Sequence, residues 1–394
     1  MHYKTLDLSE FIPEKINVNV SDRYVDLFKN FGELYIDLSY ITPKHNGSWK
    51  EYSLAIPRFV SKNERTFEVF GLLQAEMGKT NNGCLSFSNH EPKIINYVIN
   101  WFEKELELKK DMWQWSVKLN IQEPSDFKYK NEVENKVLDY WLNKTHIFLY
   151  RAYPKKVTYI KNTNNIKLKF YDYGTLVLEY KRNLFSQIIK NIIKKITYEK
   201  ILKYDTKLIQ GYLRGIIAGE GAVELSKECK KYRVHISVSK PEEKEIYSKC
   251  LYKLGINNIN YPGSNLVISK RENNVQLLKK RLMTLSPEKY AKFFNMMQQY
   301  PNISEETGYF KHKGINLWNR IPKEKVGQII GLYNSGVTST KEISEKLNLH
   351  ILKVQRVLKE NNLGERIIKT PESKRKEIAQ YKILNPNLNS YEIA

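Results

Sequence analysis

The sequence predicts an α+β protein: one mixed helix–strand unit that occurs twice, followed by a smaller all-α module. Three observations predict it. A helical stretch with small residues on one face and a terminal carboxylate occurs twice. The segments after each occurrence give strand and helix signals in the same order. Everything beyond Pro322 shows only short helical patterns separated by turn formers.

The second occurrence is the clearer. Gly211–Leu225 reads GYLRGIIAGEGAVEL, with Gly211, Gly215 and Gly219 four apart and Glu220 followed at once by Gly221. Glycines at that spacing lie on one helical face and clear it of side-chain bulk, so a partner backbone can come close. A carboxylate in the last turn opposes the negative end of the helix dipole, at a cost of a few tenths to about 1 kcal/mol unless a cation offsets it. A cation beside Glu220 is therefore expected. The first occurrence, FEVFGLLQAEMGKT from Phe67, places Gly71, Ala75 and Glu76 at the offsets of Gly215, Gly219 and Glu220.

The remaining elements are taken in chain order. Residues 1–64 mix short apolar segments (Tyr24–Phe31, Leu34–Ile41) with turn formers at Pro43–Gly47, and read as an N-terminal extension packed on the first copy of the repeat. That copy covers 65–204. After its helix, Cys84–Ser88 alternates like a strand, Pro92–Leu108 is amphipathic, and Leu176–Leu178 leads through Lys181–Asn183 into a helix. An insertion at roughly 122–175, with helix-like Glu132–Leu142, lengthens this copy. The second copy covers 205–302, with strands at Ala222–Leu225 and Val234–Val238 and a helix at Pro241–Leu254. A strand at Leu266–Ile268 then runs through Lys270–Asn273 into a last helix. The basic run Lys181–Lys203 reads as a solvated face or a phosphate track.

Residues 303–320 read as a linker. In 321–370, helices are predicted over Lys325–Tyr333, Ser339–Lys346 and His350–Leu363, with Asn348 in the intervening turn and Val354 facing inward. This spacing resembles a helix-turn-helix, and Lys353, Gln355, Arg356 and Lys359 on the third helix suit contact with bases and phosphates in a major groove. Residues 371–394 echo Pro322–Ile343 and read as a partial second module.

Composition narrows the partners. The chain carries 65 Lys+Arg against 43 Asp+Glu, a formal charge of +22, with 12% aromatic residues. A basic, aromatic-rich surface suits a polyanion, so nucleic acid is the leading partner. MHYKTLDLSEF lacks the apolar core of a signal peptide, and no apolar run approaches the roughly 20 residues of a membrane span. A soluble, intracellular protein without a membrane partner is expected. Cys84, Cys229 and Cys250 lack metal spacing and suggest neither a zinc site nor disulfides.

Leu213–Gly221, LRGIIAGEG, resembles the LAGLIDADG motif of homing endonucleases, its penultimate acidic position falling on Glu220; Val69–Met77 is a weaker second match. The resemblance covers roughly residues 66–300. It implies two pseudo-symmetric αββαββα-like halves whose motif helices pack through Gly71, Ala75, Gly211, Gly215 and Gly219, and whose sheets form a saddle over duplex DNA. It implies further that Glu76 and Glu220, helped by the carbonyls of Ala75 and Gly219, share divalent metal, here Mg²⁺. Such carboxylates raise one another's pKa unless a metal neutralises them. Lys181 and Lys270, at the ends of the last strands, fall where the family stabilises the transition state. Arg182, Arg233 and Arg271 are further DNA-binding candidates.

Two departures stand out. Glutamate replaces the commoner aspartate in both motifs, and Met77 takes a glycine position ahead of a shortened first hairpin. The leading reading is a monomeric, Mg²⁺-dependent, site-specific double-stranded DNA endonuclease, free-standing rather than an intein. The alternatives are a catalytically inactive regulator on the same scaffold, acting with the helix-turn-helix, and a maturase that binds intron RNA.

Overall fold

The computed structural model describes residues 5–18, 24–43, 47–78, 84–108, 110–226, 231–257, 259–300, 303, 323–349, 351–361 and 363. They belong to two bodies, divided after residue 308. The sequence reading of 371–394, nearly all of the 303–320 linker, and Cys229 lie outside the described residues.

The first body opens on strands that the sequence reading leaves unassigned: β1 (Thr5–Asp7), β2 (Lys15–Asn17), β3 (Tyr24–Asp26), β4 (Phe28–Phe31), β5 (Tyr35–Pro43), β6 (Trp49–Pro57) and β7 (Phe59–Ser61). β1 pairs with β7, β2 with β3, and β4-β5-β6 form an antiparallel sheet. Alternation decides the buried face of that sheet: Ile36, Leu38 and Tyr40 lie inward, opposite Ile56, Leu54 and Tyr52. Hydrogen bonds from several points tie the extension to the segment that follows. The Ser61 N–H donates to the Glu105 carboxylate at 2.7 Å, and the Asn183 amide donates to the Asn17 carbonyl.

The first motif helix is α1 (Glu64–Glu76), capped by Asn63, whose side chain accepts from the Thr66 N–H. After it come β8 (Leu85–Asn89), α2 (Pro92–Glu105), β9 (Trp113–Leu119), α3 (Phe127–Lys144), β10 (Arg151–Tyr159), β11 (Thr175–Tyr180) and α4 (Asn183–Lys195). Their sheet runs β10-β9-β11-β8, with β10 parallel to β9 and the other pairs antiparallel. β9 is missing from the sequence reading, although WQWSVKL alternates: Trp113, Trp115, Val117 and Leu119 are buried. The insertion supplies α3 and the edge strand β10. Of the basic run, α4 buries Phe185, Ile188, Ile189, Ile192 and Ile193, with Lys190 between these apolar positions and Lys194 and Lys195 after them.

The second motif helix, α5 (Thr206–Glu220), is capped by Asp205. It leads into β12 (Gly221–Ser226), β13 (Lys231–Ser237), α6 (Pro241–Lys253), β14 (Asn265–Ile268), α7 (Arg271–Lys279) and α8 (Pro287–Met297). The sheet runs β12-β13-β14, and a single bridge from Asn260 to Val267 extends it beyond β14. In the first sheet a single bridge from Met77 to Phe87 likewise extends β8. Where the second sheet has the strand β12, the described residues of the first have the bridge at Met77. Gly221 ends α5 at φ −78°, so space rather than left-handed backbone demands glycine: a Cβ there would lie 2.3 Å from the Ile217 carbonyl oxygen.

The second body contains helices Lys323–Asn334, Thr340–Leu347 and Ile351–Glu360 around Ile329, Ile343, Val354, Val357 and Leu358. Ser339 caps the middle helix and Asn348 ends it in left-handed backbone, φ 47° and ψ 51°. No helix among the described residues is long and apolar enough to cross a membrane.

Candidate functional site at the crossed helices

α1 and α5 meet backbone to backbone. A Cβ on Gly71 would lie 2.1 Å from the Tyr212 carbonyl oxygen, and one on Gly215 would lie 2.1 Å from that of Glu68 and 2.7 Å from Leu72 N. Gly211 lies against the Glu64 carbonyl in the same way, and a Cβ on Gly219 would fall 2.5 Å from that of Ala75. Polar side chains clasp the other end of the crossing. Buried Arg214 donates to the Glu68 carboxylate, to Glu64 at 3.4 Å and to the Arg281 carbonyl at 3.1 Å, and Tyr97 donates to the second oxygen of Glu68. That phenol is pushed far above its usual pKa by burial and by Glu68.

The Ala75–Gly219 contact brings Glu76 and Glu220 to the same end of the helix pair, each partly buried. The Glu76 carboxyl sits above the ordinary carboxylate range. Burial raises it most, Lys289 draws it down, Glu220 raises it again, and His90 and a 3.3 Å hydrogen bond from Asn89 lower it. The cation expected at the end of α5 is Lys289, in the first turn of α8. Its ammonium donates to the carbonyls of Gly219 at 2.5 Å, Ala218 at 2.6 Å and Ile217 at 3.3 Å. Burial lowers the Lys289 pKa below the usual lysine value, against the opposing pull of Glu76, Glu91, Glu220 and Glu288. The sequence signal for Lys289 is indirect: Ser286–Pro287 marks a helix start, but nothing local points back to α5.

A second group stands nearby. His90, Glu91 and Glu288 each offer a ligand atom within 4.8 Å of the others. Glu91 is occupied structurally, accepting from the Ser286 hydroxyl and the Glu288 N–H, and Glu288 pairs with Lys292 at 2.7 Å.

Of the proposed metal ligands, Glu76, Glu220, Ala75 and Gly219 come together. Two carboxylates and a carbonyl are hard oxygen donors of the type Mg²⁺ takes, so Glu76, Glu220 and Ala75 fit a divalent ion, whereas the Gly219 carbonyl already accepts from Lys289. The lysines have other surroundings. Lys181 is exposed with its ammonium 4.5 Å from the centre of the Tyr153 ring, and exposed Lys270 precedes the first turn of α7. Arg182 is exposed and lines a hollow with Phe28, Asp37 and Glu51 of the N-terminal sheet. Arg233 pairs with Glu224 at 3.1 Å, beside His235, and the Arg271 guanidinium is 5.7 Å from the centre of the Tyr300 ring.

Both sheets turn polar residues away from the core. Ser86, Ser88, Gln114, Ser116, Lys118 and Glu179 share the outward face of β8, β9 and β11, and Glu224, Arg233 and His235 share that of β12 and β13. In the second body Gln355 and Lys359 are exposed on the last helix, while the Lys353 and Arg356 side chains lie outside the described residues.

No family model matches the chain, and no curated protein matches it. Solved structures to which it is similar include full-length DUF199/WhiA from Thermatoga maritima, at 14% identity, covering 77% of this chain and 93% of that one with a TM-score of 0.33. The N-terminal LAGLIDADG domain of DUF199/WhiA is matched at 15% identity over 56% of this chain and 83% of that one, TM-score 0.30. I-DmoI in complex with DNA and calcium is matched at 12% identity over 64% and 98%, TM-score 0.32.

Proposed function

We propose that the first body is a duplex-DNA endonuclease of the LAGLIDADG kind. In this reading α1 and α5 form the axis between two pseudo-symmetric halves, and the polar faces of the two sheets meet DNA. The observation that carries the reading is the pairing of Glu76 with Glu220 where two glycine-faced helices touch. Mg²⁺ bound by Glu76, Glu220 and the Ala75 carbonyl would activate water and stabilise the leaving 3′ oxygen. The chain's own part is to hold the two carboxylates together, partly shielded from water, and to present hydrogen-bonding side chains to the DNA. Lys181, Lys270, Arg182, Arg233 and Arg271 supply positive charge toward phosphates. The three C-terminal helices act as a helix-turn-helix that raises the effective concentration of the first body on neighbouring DNA, and the chain works as a monomer.

One observation favours a second reading, a DNA-binding regulator that does not cut: Lys289 already holds the Gly219 carbonyl. The deciding experiment incubates wild type and the Glu76→Gln/Glu220→Gln variant with a randomised duplex library, with Mg²⁺ or with EDTA, and sequences the cut ends. Mg²⁺-dependent ends sharing one motif, absent in the variant, support the endonuclease. Retarded but uncut DNA supports the regulator, and absence of duplex binding refutes both.

A further inference from the structure

Lys289 is seated on the end of α5 that carries Glu220. An ammonium has three donors, and here three successive carbonyls, Ile217, Ala218 and Gly219, receive them. They lie at the C-terminal end of α5, where a helix leaves acceptors unpaired and its dipole favours a cation. Glu76, Glu91, Glu220 and Glu288 all favour the charged form of the same ammonium. The base of the side chain is fixed as well. α8 starts at Pro287 behind Ser286, whose hydroxyl accepts from the Lys289 N–H at 3.1 Å and donates to buried Glu91.

We propose that Lys289 is a tethered counter-ion of the Glu76–Glu220 pair. It occupies the Gly219 carbonyl that a divalent ion would share, so the folded chain is stable and competent for DNA without metal, and metal gains the pair only when the ammonium leaves. This rests on the reading of Glu76 and Glu220 as the metal site. Removing the ammonium takes away the strongest cationic influence on Glu76, and a bound metal can then restore positive charge there.

The test uses the full chain as wild type, Lys289→Met, Lys289→Arg and Lys289→Met/Glu220→Gln. Each is melted in EDTA and in Ca²⁺, titrated with Mn²⁺ by calorimetry, and assayed for DNA retardation in EDTA. Wild type and Lys289→Arg should melt at the same temperature in both buffers. Lys289→Met should melt lower in EDTA, recover in Ca²⁺, and bind Mn²⁺ about tenfold or more tightly than wild type, in keeping with loss of a unit charge a few ångströms away. The added Glu220→Gln should abolish that recovery. Equal Mn²⁺ affinities for wild type and Lys289→Met, or a Lys289→Met protein indifferent to Ca²⁺, overturn the proposal. Should no Lys289 variant fold, wild type alone decides: saturation by micromolar Mn²⁺ that Glu220→Gln removes is incompatible with a resident ammonium, whereas weak, millimolar binding agrees with it. If retardation fails in every protein, the DNA reading falls while melting and calorimetry still judge the counter-ion.

Discussion

Gly215→Ala tests the helix crossing. The new Cβ would stand 2.1 Å from the Glu68 carbonyl oxygen, 2.7 Å from Leu72 N and 2.9 Å from the Gly71 Cα, all backbone atoms that no rotamer change can move aside. Real Cβ contacts stop near 3.0 Å, so α1 and α5 must separate locally by about 0.9 Å. Overpacking of this type costs about 1–3 kcal/mol, with backbone contacts toward the upper end. Against it stands a gain of about 1 kcal/mol from alanine's better helix propensity. The net loss is about 2 kcal/mol, a fall of roughly 3 °C for a body that runs to residue 308, at about 2 cal/mol/K of unfolding entropy per residue. Circular dichroism melts in EDTA read it directly. Gly331→Ala is the matched control, because a Cβ there meets nothing within 4 Å and only the propensity gain remains. A Gly215→Ala melting temperature at or above that of wild type would refute the backbone-to-backbone crossing, and with it the reason that Glu76 lies beside Glu220.

Three further outcomes are expected. Arg214→Met should destabilise by about 3 kcal/mol or more, because it leaves the buried Glu68 carboxylate without its cation; recovery of most of that loss in Arg214→Met/Glu68→Gln, seen by urea unfolding, assigns it to the charge rather than to packing. Neutralising Lys353 and Arg356 should weaken duplex binding and lower the slope of log affinity against log salt by up to about 2; an unchanged slope reduces the last helix to packing. Asp7 gives a pH signature. Burial works against its charge, but hydrogen bonds from Arg58 and Ser9 and the Arg58 charge win, leaving its pKa below the ordinary aspartate value. Its contribution is therefore present above that value and lost as pH falls through the lower folded pKa, so acid melts of Asp7→Asn should lack that component of the pH dependence.

Helices α1, α2, α5 and α6 were legible because each rests on local chemistry: Asn63 and Asp205 cap α1 and α5, and Pro92 and Pro241 open α2 and α6, whereas α8, opened by Pro287, was not read. The turn at Asn348 was legible for the same reason. The strands of residues 5–61 were not. Most are only three or four residues long and gain their order from pairing with distant segments, as β1 does with β7. β9 carried its period-two signal in plain view, but it lies between an amphipathic helix and an insertion. At the site, the carboxylate in the last turn of α5 implies a cation but nothing near it in sequence identifies Lys289, which arrives from a helix that starts far downstream. Lys181 and Lys270, the lysines that the family resemblance suggested, lie over an aromatic ring and at a helix start respectively.

A carboxylate pair facing a polyanion is electrostatically awkward, and the glycine stripe aggravates it. The closer Gly71 and Gly215 bring the two backbones, the closer Glu76 stands to Glu220 and the more each opposes the other's charge. Phosphates approaching along the sheets would add to that repulsion, and the chain's +22 spread elsewhere is screened over a Debye length of about 8 Å at physiological salt. Only a cation in contact with the pair can offset the cost, and a partly shielded one does so with little screening. Lys289 supplies positive charge from within the chain, held on the carbonyls that end α5. A metal-dependent nuclease needs the compensating charge to be exchangeable, whereas a binding protein is served by one that cannot diffuse away. Under the two readings proposed above, how readily Lys289 yields the Gly219 carbonyl to a divalent ion separates a nuclease from a binding protein, and the Mn²⁺ affinity of the wild-type protein is the quantity to measure.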